Sequence, residues 1–156
     1  MGPSEYEATG REFWDRFWTF RAIEADSLPA YMFQYSPQAR ALLHDLELAY
    51  AARAYYACIM LAFSIVEIHL KHIDRVQAKN ADQLLKKAGV SYEIDWLRKF
   101  RNDIVHGTPH PLVSYHLASE KRPELETACV RAFRFLHAMP KALELAATGT
   151  TPPGAA

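Results

Sequence analysis

Cysteine is scarce: only Cys58 and Cys129 occur in 156 residues. They stand far apart with no CxxC pair, and Cys58 lies in an apolar run, so neither a zinc site nor a disulfide framework is expected. No charge of one sign dominates. The 18 basic residues balance the 18 acidic ones, which excludes a global positive field for long, non-specific binding of nucleic acid; any contact with a polyanion must be local. Nucleotide-cradling and hydrolase signatures are missing as well: there is no GxxxxGK followed by Ser or Thr, no GxGxxG, no HExxH and no GxSxG. The most apolar run, Ala57 to Val66, is broken by Glu67 and is too short to span a bilayer. The opening MGPSEYEATG lacks a basic stretch followed by an apolar one. No membrane insertion, no secretory signal and a reducing cytoplasmic location are therefore expected.

What is there is a globular composition, 50% hydrophobic and 23% charged, sufficient for one domain with a real core. Helical spacing runs through nearly all of it. Phe13/Phe17 and Trp14/Trp18 recur at four residues within Glu5 to Glu24, predicting an amphipathic first helix. Ser36-Pro37 is a helix start, a capping hydroxyl followed by a proline suited to the first helical position. From Gln38 to about Val76 there is neither proline nor glycine, and apolar residues recur at steps of three and four, as one helix or as two with a break. Asn80 is placed to cap a short helix that Gly89 ends; Ser91 opens another that Gly107 closes. Residues 112–120 carry no clear signal, and Pro123 begins a last helix with acids in its first turn. The expectation is an all-α, up-and-down bundle of about five helices: residues 1–35 an aromatic-rich helix and connection, 36–146 the bundle, 147–156 a disordered tail.

The segment RNDIVHG, residues 101–107, departs from this pattern. At 100° per residue, Ile94, Leu97, Phe100, Ile104 and Val105 fall on one arc, expected to face the core. Arg101 lies roughly 40° from Leu97, inside that stripe, where a guanidinium costs several kcal/mol unless it is paired or opens onto a polar cleft. One reading pairs it with Glu67, on the edge of the apolar arc of the long helix; the other turns it toward a ligand. Asn102 and His106 are neighbours at i,i+4, with Arg101 and His106 roughly 140° apart. His69 and His72 with Asp74 suggest a surface face more than a metal site, and His110 and His116 read as loop residues.

RNDIVH resembles the R-N-x-x-x-H motif of HEPN domains (higher eukaryotes and prokaryotes nucleotide-binding). The likeness extends to SIVEIHLK in a long helix, ADQLLKKAG in a short one, and PELETACVRAFRFLHAM as a closing helix, covering roughly residues 38 to 140. It implies a HEPN-like bundle that dimerises by bringing two motif helices together. It also implies a metal-independent endoribonuclease with no cofactor, as in the toxin of a toxin–antitoxin pair with a protein antitoxin or in another defence system. The alternative is a non-catalytic HEPN module that binds RNA, nucleotide or a protein partner. On this resemblance Arg101, Asn102 and His106 are the catalytic candidates, with Glu67 and Asp103 supporting. Arg98 and Lys99, one turn earlier, supply a local rim for RNA phosphates.

The chemistry suits those residue types. Cleaving RNA without a metal requires the 2′-OH to lose a proton and the 5′-oxygen to gain one while charge builds on phosphorus, leaving a 2′,3′-cyclic phosphate. Histidine titrates near neutral pH and can move both protons. Arginine presents a planar, permanently charged fork to phosphate oxygens. A two-fold homodimer would double both and form a composite active site across its seam.

Overall fold

The computed structural model describes residues 10–26, 34–77, 81–113 and 121–149. Among these the chain is all-α, a bundle of six helices: α1 (Gly10–Asp26), α2 (Pro37–Ala51), α3 (Tyr55–Gln77), α4 (Ala81–Ala88), α5 (Ser91–His106) and α6 (Arg122–Thr148). The sixth helix comes from a break in the long proline- and glycine-free region. Arg53 takes a left-handed φ of 63°, Arg53 N–H donates to the Tyr50 carbonyl at 3.0 Å, and Ala54 N–H donates to the Ala49 carbonyl at 2.8 Å. This is the hydrogen-bond pattern that normally ends a helix at glycine, carried here by an arginine. Gly89 and Gly107 end α4 and α5 with φ of 70° and 64°, as their sequence positions suggest. Ser36 caps α2 by accepting from the Ala39 N–H. α5, by contrast, is preceded by Val90 with no side-chain cap.

α3 is the central helix, packed against α2, α5 and α6. Cys58, Ile59, Ala62, Phe63, Ile65 and Val66 are all buried, so one broad face of the helix is core. Glu67 does not interrupt it, because that side chain reaches solvent. The stretch Tyr55–Ile73 is in consequence long and apolar enough to cross a membrane, a length that Ala57–Val66 alone understated. Cys58 and Cys129 meet in this core as free thiols, and burial followed by the contact with Cys58 pushes the Cys129 thiol up.

α6 carries Pro140 in its interior and runs through Thr148, past the expected start of the tail. A proline inside a helix has no N–H for the carbonyl four residues back. That carbonyl belongs to Leu136, and the hydroxyl of buried Tyr35 donates to it. The backbone group orphaned by Pro140 is thus satisfied from outside the helix. Arg16 does the same for α2: it is buried, and its Nε donates to the Ala51 carbonyl at 3.0 Å. Arg16 and Phe20, not the tryptophans, therefore make the inward face of α1; Trp14 and Trp18 are 55% and 63% exposed and pack edge-on against Phe13 and Phe17.

Candidate functional site at the end of α5

α5 turns Ile94, Leu97 and Phe100 into the core. Its last turn departs from the expected arc. Val105 is 48% exposed, while Asp103 is 6% exposed and takes the buried position. The cause lies just beyond the helix. His110 folds back and stacks on Phe100, with centroids 4.3 Å apart and planes within 10°, and Thr108 N–H donates to the Asp103 carbonyl at 3.1 Å. This covers the Asp103 side of α5 and leaves the Val105 side open. The Asp103 carboxylate accepts from Lys99 Nζ at 2.8 Å, so it anchors the end of the helix instead of supporting Arg101.

Arg101 is half-buried. Its Cζ lies 5.5 Å from the centre of the buried Phe63 ring, and Nη1 donates to Asn102 Oδ1 at 2.8 Å. The ring face offers cation–π attraction without neutralising the charge. Glu67, one turn further along α3 than Phe63, is exposed and does not form the expected ion pair. Among the described residues no carboxylate pairs with Arg101, so its cation is held in place by an aromatic ring and an amide and keeps unused N–H donors. His106 is exposed in the last turn, immediately before left-handed Gly107, with no hydrogen bond or ion pair among the described residues. The structure thus joins Arg101 to Asn102 directly and presents His106 round the same end of the helix, with exposed Val105 between them.

The two rim bases already have partners. Arg98 binds Asp95 at 2.9 Å and Lys99 binds Asp103, both within α5. The Arg98–Asp95 pair is exposed and contributes only tenths of a kcal/mol, so Arg98 is readily released to a phosphate, whereas Lys99 is held by the buried Asp103 carboxylate.

The sequence reading gave His110 no role. Its Nδ1 accepts from the Leu112 N–H at 3.1 Å, and burial lowers its pKa from 6.5, against the opposing pull of Asp103. With Trp96, Phe100 and Arg131 it lines a cavity of about 320 Å³ between α5 and α6. Arg131 grips Glu93 through two hydrogen bonds of 2.7 and 2.9 Å and lies 4.0 Å over the Trp96 ring. The Pro109-x-Pro111 spacing, which holds a histidine in a tight turn, was the available signal for His110.

For a metal, no group of three or more His, Cys, Asp or Glu side chains stands together among the described residues. His69 is buried, not on a surface face, while His72 is exposed; the side chain of Asp74, and all of Asn80 and His116, lie outside the described residues. Comparison with family models, curated proteins and solved structures gives no match to this chain.

Proposed function

We propose that this chain is a HEPN-type endoribonuclease acting without a metal, with the end of α5 as its site. The observation that carries the reading is the state of Arg101: a half-buried cation, steered by Phe63 and Asn102, with no carboxylate to cancel it. Arg16, a structural arginine, also lacks an acid, but it is buried and its Nε is spent on the Ala51 carbonyl, whereas Arg101 is only half-buried. An arginine held only by a ring and an amide retains its affinity for phosphate oxygens. His106, exposed and uncommitted one turn on, is of the right type to pass protons between the 2′-OH and the 5′-oxygen. Asn102 accepts from the guanidinium and so sets its angle, a positioning task.

One motif supplies one histidine, whereas the reaction needs a base and an acid. A two-fold homodimer that packs α5 on α5 over Val105 would supply both and would cover an apolar side chain now open to solvent. The same composite site would suit a toxin held in check by a protein antitoxin. A non-catalytic RNA- or nucleotide-binding module would use Arg101 and the Arg98/Lys99 rim alike but have no use for an uncommitted His106.

Purified protein incubated with RNA in EDTA tests this reading. Cleavage to 2′,3′-cyclic phosphate ends, with a dimer by light scattering, is the expected outcome. RNA binding without cleavage would favour the module, and a strict monomer at high micromolar concentration would exclude the composite site.

A further inference from the structure

A second cavity of about 320 Å³ opens among α3, α4 and α6. Ile73, Leu84, Pro140 and Leu143 make its apolar walls, and the exposed Glu144 and Ala147 mark its mouth. His69 lines it although only 3% of that residue is accessible. Its Nδ1 is buried without a hydrogen-bond partner, and Nε2 has none among the described residues either. The neighbouring Tyr35 ring lies 4.7 Å away, but its hydroxyl donates to Leu136 and makes no hydrogen bond to the imidazole. Nδ1 is the sealed nitrogen; Nε2 is not sealed, so on this cavity wall it is the nitrogen open to a partner.

Burial, reinforced by His72, pushes the His69 pKa down to about 4, so the ring is neutral at physiological pH and carries one N–H and one lone pair. A sealed lone pair is easier to tolerate than a sealed N–H. The hydrogen is therefore assigned to Nε2, with the Nδ1 lone pair closed off, and the cavity meets a donor. No lysine or arginine lines the cavity among the described residues, and Glu144 at the mouth is paired with Lys141, so no cation is offered to an anion inside. A cation would face the imidazole N–H.

We propose that this cavity binds a small, uncharged, largely apolar molecule that presents one hydrogen-bond acceptor, a carbonyl or an aza-arene nitrogen, to His69. The volume is about twice the ~150 Å³ that admits benzene and at the low end of ligand pockets, which suits one or two fused rings. The site is independent of the end of α5 and of any RNA chemistry there.

Acetophenone and isoquinoline at pH 7.5, added to the full chain and followed by saturation-transfer NMR, are the probes. Both should bind, and benzoate should neither bind nor displace them. Ala147→Trp, which plugs the mouth from an exposed position, should abolish binding with the melting temperature unchanged. His69→Phe, which keeps the volume and removes the donor, should weaken binding about tenfold, the worth of one hydrogen bond. No binding of either probe at millimolar concentration, binding unaffected by Ala147→Trp, or equal binding of benzoate overturns the proposal.

Discussion

His106 and His69 mark two extremes of the same bundle. His106 stands in solvent at the last turn of α5, beside an arginine whose charge no acid cancels. His69 sits in the middle of α3 with 3% exposure, sealed on one nitrogen and pressed against Tyr35. Around Pro140 and Ala51 the interior supplies a donor for each carbonyl it strands, Tyr35 for one and Arg16 for the other. At the end of α5 polar groups stand without full partners, but there water can serve them, so the cost of holding them ready is small. The proposed RNA chemistry belongs to the open end, whereas an unmatched group in the interior, such as Nδ1 of His69, is held at a cost to stability.

The largest effect expected from sharpening this contrast is on pH dependence. His69 titrates near 6.5 when unfolded and at about 4 when folded. Between those values the unfolded chain binds the extra proton, so stability should fall as pH drops from 6.5 to 4, by on the order of 3 kcal/mol in total from this residue. Among the described residues His72 on α3, Tyr35 against the ring and Glu144 across the cavity are the neighbouring titratable groups. His69→Phe should flatten that part of a stability profile measured by urea unfolding; an unchanged slope would mean that the ring is not buried neutral.

Tyr35→Phe comes next. It leaves the Leu136 carbonyl without a donor and should cost about 1–3 kcal/mol. In a Pro140→Ala background residue 140 regains an N–H four residues from Leu136, so the same change should cost distinctly less. Equal costs in the two backgrounds would refute the link between Tyr35 and the proline.

Arg53→Gly should stabilise the chain by about 1 kcal/mol, because glycine adopts the left-handed conformation without the penalty of a Cβ. Glu67→Ala should move stability by less than about 0.5 kcal/mol, since the side chain is exposed and unpaired with Arg101. A loss of several kcal/mol would restore the ion pair the structure lacks.

These positions also show what could be read in advance. Ser36-Pro37, Gly89 and Gly107 bound helices because each residue type has a backbone or capping preference that outweighs its surroundings. A break in the long proline- and glycine-free region was left open, but its place at Arg53 was not legible, because an arginine stands where local chemistry asks for glycine. Periodicity placed Ile94, Leu97 and Phe100 in the core but erred at Val105 and Asp103. A helical wheel contains no information about a loop that folds back over one flank. The spacing of Phe13, Trp14, Phe17 and Trp18 likewise identified a stripe on α1, but the buried side is that of Arg16 and Phe20. Arg101, Asn102 and His106 were legible as a motif; that Phe63 and not Glu67 would steady the arginine was not, since it depends on the register between α3 and α5.

The central claim is that the end of α5 is an open reaction site rather than a piece of scaffold. The most direct measurement is the RNA cleavage rate of His106→Ala, taken beside its melting curve. An exposed, uncommitted histidine that transfers protons should cost on the order of 10²–10⁴ in rate when removed, with the melting temperature essentially unchanged. Cleavage as fast as the parent protein would contradict the account, and so would a lost activity fully explained by unfolding.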